Sequence, residues 1–261
     1  YDIPALPVCG AQELVDRLLA QIKPFNAGFH LGQEVTELKQ RDGTRFDVVT
    51  SAGTRFDAGS VIIAAGLGSF QPRRLMVPDA EKFEGTQVHY RVRRAEEFHG
   101  QDLLIAGGGD SALDWVLEFC GKARSVTLVH RRAEFRAQPL SVSRMRELAA
   151  AGKLRHLEGT IQSLAVEDGR LAGAVVQGKD KATNTVRCQH VIACFGLHPK
   201  LGPVANWGLA LEKKALAVDT EKFQTSVPGI FAVGAINTYP GKKTLILSGF
   251  HEAALAAFGI Q

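Results

Sequence analysis

The sequence predicts an α/β fold of two Rossmann-like, three-layered units, and three observations carry that prediction. Residues 103–106 are an apolar run that enters Gly107-Gly108-Gly109 and then a helical pattern, the strand, glycine turn and helix of a βαβ unit. Residues 125–130 then read as the next strand of that unit. Third, the order hairpin, apolar strand, glycine, proline occurs twice, once reaching Gly66 and once reaching Gly196, which suggests two related units. A chain of 261 residues, 45% hydrophobic and 22% charged, is enough for one large or two modest domains with a sizeable core.

Taken in order, residues 1–7 are an extended, proline-containing segment. Residues 11–22 form an amphipathic helix, with Leu14, Leu18 and Ile22 spaced four apart. A strand is expected at 29–35, and a hairpin at 45–50 and 54–56 across Ser51-Ala52-Gly53. The apolar strand 61–66 ends at glycine, and 78–85 reads as a turn-rich acidic linker. The expected boundary lies near Gly85, giving one unit from 1–85 with 201–261 and another from 86–200. In the second unit the helix 111–119 puts Ala112, Leu113, Val116 and Phe119 along one side and stops at Gly121. A helix at 144–150, a short strand at 154–157, β-rich segments at 161–166, 171–176 and 186–188, and an apolar strand at 191–196 complete it. Residues 226–234 are a turn feeding a buried strand, 238–243 a loop, and 248–258 a helix whose Gly249 and Ala253 allow close approach.

Several classes are disfavoured. The net charge of +4 is mild and does not indicate nucleic acid. The longest apolar runs are too short to span a bilayer, and no secretory signal is expected. Cys9, Cys120, Cys188 and Cys194 make no CxxC and no metal-like cluster, so no metal is expected. Buried free thiols in a reducing cytoplasm are the expectation.

The chemistry concentrates at the glycine turn. Gly107-x-Gly109-x-x-Ala112 fits the dinucleotide fingerprint: Gly107 for the tight turn, Gly109 for backbone approach to a pyrophosphate, Ala112 for close packing of helix on strand. Asp110 and Ser111 open the helix, whose free N–H groups and dipole favour phosphate. An NAD site has an acid at the end of the next strand, about 20 residues beyond the glycines. Here that place holds His130, Arg131 and Arg132, with Arg136 close behind. Guanidinium groups attract and bidentately bond a 2′-phosphate, so the reading is NADP.

Four fragments together resemble one family: residues 106–112; His130-Arg131-Arg132 with Phe135-Arg136-Ala137; residues 228–234; and Tyr239-Pro240-Gly241-Lys242 with residues 248–254. They are similar to the thioredoxin-reductase-like ferredoxin–NADP reductases, of the FAD/NAD(P)-binding reductase type. The resemblance implies an NADPH-dependent flavoprotein reductase that passes electrons through FAD to ferredoxin or flavodoxin, with an FAD domain split around an inserted NADP domain. It places Val35 at the adenine end of FAD, Phe70 against the flavin cofactor and Gly234 beside the ribityl chain, and a homodimer is expected. Thioredoxin reductases carry a CxxC in the inserted domain, which this chain lacks. The family's opening GxGxxG does not occur, so the first unit is expected to lack its N-terminal βα unit. Ala235 stands where the family has an Asp that bonds the ribityl chain. These departures leave open an NADP-binding module without flavin or redox activity. No catalytic acid or base is expected, because the cofactors carry the chemistry; His130 is read as supporting the phosphate site, and His198 and His251 as structural. Arg73, Arg74, Arg91, Arg93 and Arg94 are a candidate docking face for an acidic partner.

Overall fold

The structure, a computed structural model, describes residues 3–6, 8–41, 45–68, 72–197 and 200–260. In chain order it runs α1 (Ala11–Ile22), β1 (Val35–Gln40), β2 (Phe46–Thr50), β3 (Arg55–Ala58), β4 (Val61–Ile63), β5 (Val88–His89), β6 (Asp102–Ala106), α2 (Asp110–Phe119), β7 (Ser125–His130), α3 (Pro139–Ala150), β8 (Arg155–Glu167), β9 (Arg170–Gly178), β10 (Thr183–Arg187), β11 (His190–Ala193), β12 (Leu211–Glu212), β13 (Ala215–Ala217), β14 (Ile230–Ala232), β15 (Asn237–Thr238) and α4 (Ile246–Gly259). Short 3-10 turns lie between several of these. Two compact units result: Tyr1–Gln71 with Pro199–Gln261, and Pro72–His198.

The second unit is built on one seven-stranded sheet in the order β10-β9-β8-β7-β6-β11-β5. Strands β8, β7, β6, β11 and β5 run parallel, and β8, β9 and β10 form an antiparallel meander. Alternation along β6 separates two cores. Leu103 and Ile105 pack with Ala112, Leu113, Val116 and Phe119 of α2 and Met145 of α3. Leu104 and Ala106 face Ala174, Val176 and Val186 of the meander. Helices on one face and the meander on the other make three layers. The chain from β6 to β8 steps outward on one side of β6, whereas β11 lies on the other side. The end of β6 is therefore the topological switch point, where open α/β sheets bind ligands.

The first unit holds the antiparallel set β1-β2-β3, the parallel pair β14-β4 and the set β12-β13-β15. Its core joins Leu38, Phe46, Ile63, Leu216, Ile230, Ala232 and Ile236. On the other side of β14, Phe231 and Val233 meet Phe223 and Ala256 of α4.

Helix α1 has the expected bounds, but none of its residues is buried. Other expectations need correction. The strand expected at 29–35 begins only at Val35, because its partner ladder ends with the Val35–Thr50 pair. Gly32 turns the chain with a positive φ of 71°, and Leu31 is 84% exposed. The strands expected at 154–157 and 161–166 are one strand, β8, which pairs first with β7 and then with β9. Gly159 permits the changeover: a Cβ there would lie 2.4 Å from the Gln177 carbonyl. Helix α3 begins at Pro139, ahead of the expected 144, with proline in its first turn, where a missing N–H costs nothing. The boundary near Gly85 falls inside the second unit. Ala80 and Phe83, from the segment expected to be a linker, are buried there with Leu75 just before it, against Val88, Leu104 and Val191.

Candidate functional site

The glycine turn of the second unit is shaped by close backbone contacts. Ala106 pairs with Val129 on one side and Ala193 on the other, and Gly107 N–H donates to the Val129 carbonyl at 3.0 Å. A Cβ on Gly107 would stand 2.5 Å from the Cys194 carbonyl and 3.0 Å from Ala112 Cβ. Glycine and a small residue are therefore both demanded by packing. A Cβ on Gly108 would fall 2.2 Å from the His130 ring, so the imidazole lies flat on this residue. Gly109 is different: nothing stands within 4 Å of where its Cβ would be. It precedes α2, which has no side-chain cap, so backbone donors at that end remain for an anion.

The loop after β7 is tied onto this turn. Arg136 N–H donates to the Gly108 carbonyl at 2.8 Å, and His130 Nε2 donates to the Glu134 carbonyl at 3.0 Å. Phe135 packs on the His130 ring, centroids 4.9 Å apart. Asp110 does not point freely at a ligand; its Oδ1 accepts the Gln138 N–H at 2.8 Å and anchors the start of α3. Ser111 is exposed at the helix start, and Ala112 is fully buried. Arg131, Arg132 and Arg136 are exposed, and among the described residues no side chain pairs with their guanidinium groups. Three free cations thus stand beside a turn that is open at Gly109.

The cysteines offer no redox pair. All four are free. Cys188 alone is buried, so the expectation of buried thiols holds for one and fails for Cys9, Cys120 and Cys194, which are partly exposed. Burial pushes the Cys188 and Cys194 thiols up to about 12, which keeps them protonated and unreactive. Among the described residues no group of three or more His, Cys, Asp or Glu could hold a metal ion, and no helix is long and apolar enough to cross a membrane.

The first unit places Gly234 two residues past the end of β14, in a left-handed conformation with φ of 77°. The side its Cβ would occupy is open, with no atom within 4 Å. Ala235 is partly exposed beside it. Val35 is partly exposed at the bulged start of β1. Phe70 and His198 lie outside the described residues. His251 is exposed and meets Phe223 edge-on.

Behind Gly234 lies a polar cluster that the sequence reading did not assemble. Glu252 is fully buried on α4. Its Oε2 accepts the Gly234 N–H at 2.7 Å and Asn237 Nδ2 at 3.0 Å, and its Oε1 accepts the Tyr239 hydroxyl at 2.9 Å and Lys242 Nζ at 2.5 Å. Burial works to raise the Glu252 carboxyl, but hydrogen bonds from Lys242, Gly234 and Tyr239 outweigh it and hold it below its ordinary value. Burial, with the Glu252 carboxylate beside it, pushes the Tyr239 phenol up to about 12. One signal was available: Glu252 is the only acid in a helix otherwise made of small and apolar residues and one histidine.

Residues 7–234 match the pyridine nucleotide-disulphide oxidoreductase family. The chain is 57% identical to ferredoxin–NADP reductase 2 of Cupriavidus metallidurans over 259 residues, which cover 99% of this chain and 71% of that one. It is 56% identical to the ferredoxin–NADP reductase of Methylibium petroleiphilum, over 99% of this chain and 72% of that one. Thioredoxin reductase of Lactococcus lactis superposes with a TM-score of 0.84 at 24% identity, covering 99% of this chain and 82% of that one. At that identity the likeness speaks for the fold alone.

Proposed function

The chain belongs to the ferredoxin–NADP reductases of the pyridine nucleotide-disulphide oxidoreductase family, and from that premise we propose how its two units divide the work. As a member it is an NADPH-dependent flavoprotein oxidoreductase that uses FAD and NADP. We assign NADP to the second unit and FAD to the first.

The observation that carries the NADP assignment is the open cradle at Gly109 with Arg131, Arg132 and Arg136 exposed beside it and unpaired among the described residues. Backbone N–H groups at the start of α2 suit the pyrophosphate, and the guanidinium groups suit a 2′-phosphate. His130 keeps the arginine loop on the turn by packing on Gly108. Ser111 lies within reach of the same cradle, whereas Asp110 serves the loop behind it. For FAD, the open side of Gly234 is the feature that fits a ligand, with Ala235 offering backbone and a methyl group but no polar side-chain atom. Val35 and Phe70 are assigned to the same cofactor on the family resemblance.

Held at the open side of Gly234, FAD would supply hydride acceptance and single-electron release, so the redox chemistry would belong to the cofactors. The chain's residues bind and orient them. No titratable side chain is assigned as a catalytic acid or base.

The relatives' names point to ferredoxin as the electron acceptor, and flavodoxin is its chemical alternative. Such a partner would dock by charge on the second unit. All five arginines are exposed; Arg74 pairs with Glu84 and Arg94 approaches Glu97, which leaves Arg73, Arg91 and Arg93 without a carboxylate partner among the described residues. A homodimer and a cytoplasmic setting complete the reading; the four free thiols are in keeping with the latter.

The test is a purified protein with bound flavin, mixed anaerobically with NADPH or NADH and then with ferredoxin. The proposal expects NADPH to bleach the flavin, NADH to do so poorly, and ferredoxin to restore the colour. A protein that binds NADPH yet takes up no FAD would refute it.

A further inference from the structure

We propose that Lys242 and Glu252 are a positioning pair for the flavin, acting through the Gly234 turn. The inference rests on the assignment of Gly234 to the FAD site.

The pair grips both polar groups of one residue. Glu252 accepts the Gly234 N–H, and Lys242 Nζ donates to the Gly234 carbonyl at 2.9 Å. Lys242 has three donors and uses all three here, the others going to Asn237 Oδ1 at 2.6 Å and Glu252 Oε1. Asn237 Nδ2 also donates to the Ala232 carbonyl at 2.7 Å. Every backbone group reached by these three side chains lies in the short run from Ala232 to Gly234. The network therefore converges on one turn from α4 and from the loop after β15.

Its placement follows from α4. Gly249 is the helix residue that meets the turn, since a Cβ there would come 3.6 Å from Gly234 Cα. Glu252 lies one helical turn further on, hence on the same face. A small residue lets the helix approach, and the next residue on that face supplies the carboxylate.

Stability alone does not call for such a pair. The Glu252 side chain is 0% exposed and that of Lys242 11%. Two charges this deeply placed are commonly replaced by well-packed apolar residues without loss of stability. Apolar residues could not take hold of an N–H and a carbonyl. Gly234, with its φ of 77°, has the backbone freedom of glycine, so an external grip is what gives the turn a single shape. Ala235 adds no side-chain hydrogen bond of its own.

The experiment compares the intact protein with Lys242→Met, Glu252→Gln, Lys242→Met/Glu252→Met and Tyr239→Phe. FAD affinity of the stripped proteins is read by flavin fluorescence, NADPH affinity by titration, folding by thermal unfolding, and the turn by amide exchange at Gly234. The double variant is expected to unfold well above Lys242→Met, short of the parent only by the hydrogen bonds that Gly234, Asn237 and Tyr239 lose. It should nevertheless lose about tenfold or more in FAD affinity, the scale of a hydrogen bond or two, with faster Gly234 exchange and unchanged NADPH affinity. Tyr239→Phe, which leaves the grip on Gly234 in place, should lose less. If the double variant binds FAD like the parent, or if FAD affinity across the set merely follows unfolding temperature, the positioning role is wrong. A parent protein that binds NADPH but no FAD would instead overturn the assignment of Gly234, and this inference with it.

Discussion

The two units present a glycine turn after a parallel strand in opposite ways. In the second unit, backbone and ring contacts close around Gly107 and Gly108, and the charges of Arg131, Arg132 and Arg136 stand outside, unpaired among the described residues. In the first unit the charges stand inside, paired and buried, and they hold Gly234 by its own N–H and carbonyl. One turn is shaped by packing and leaves its cations exposed at the surface. The other is shaped by its ions and offers a ligand only backbone and an alanine. The contrast teaches where a charge can serve recognition: outside, it remains available to a phosphate; inside, it is spent on geometry.

The largest effect that would break this contrast is on stability. Lys242→Met leaves Glu252 buried without its cation, and losing one partner of such a pair costs about 3–5 kcal/mol. The double replacement by methionine should recover most of that in a thermal or denaturant unfolding curve. Equal losses for single and double variants would mean that the pair is an ordinary structural ion pair.

Next is Arg131→Ala with Arg132→Ala. Each charge-assisted bond to a 2′-phosphate contributes about 1.5–3 kcal/mol, reduced at an exposed site. NADPH affinity should fall about a hundredfold by titration, while NADH affinity stays nearly constant. Parallel losses for both nucleotides would remove the 2′-phosphate from the account.

A smaller effect separates two glycines of one turn. Gly107→Ala drives a methyl onto the Cys194 carbonyl and should destabilise the second unit by about 1–3 kcal/mol. Gly109→Ala meets open space, so unfolding should be little changed while NADPH affinity drops. If Gly109→Ala bound NADPH as the parent does, the cradle would be misplaced.

Acid should part the units as well. His89, His156 and His190 are held below their ordinary 6.5, foremost by burial, with the neighbouring histidines and arginines adding to it. The unfolded chain takes up protons there that the folded second unit resists, so that unit weakens as pH falls below 6.5. Glu252 is held below its ordinary 4.5, so its contribution is complete above that value and lost as pH falls through the lower, folded one. Unfolding followed from pH 8 to 4 should show the second unit weakening first, and the reverse order would contradict these assignments. Smallest of all, Arg91→Ala with Arg93→Ala should raise the KM for ferredoxin a few-fold at low salt and have little effect at high salt.

How much of this the sequence showed depends on distance along the chain. The glycine fingerprint, α2, β7 and the arginine loop are local patterns, and they sit where the spacing puts them. The fusion of two expected strands into β8 was illegible, because it depends on β7 and β9 both lying alongside. So was the burial of Ala80 and Phe83, whose segment looks like a linker until the sheet is there to cover them. The grip on Gly234 joins residues up to 18 positions apart, and no periodicity links Lys242 to Glu252. Asp110 is a milder case: its place in the fingerprint is clear, but its bond to Gln138 needs the folded loop.

The central claim is that this protein moves electrons from NADPH through FAD. It is tested most directly by following the flavin absorbance of the purified protein during anaerobic titration with NADPH and, separately, NADH. Stoichiometric bleaching by NADPH, with NADH far less effective, is the predicted result. Flavin that stays oxidised with saturating NADPH, or that bleaches equally with both nucleotides, would contradict the account.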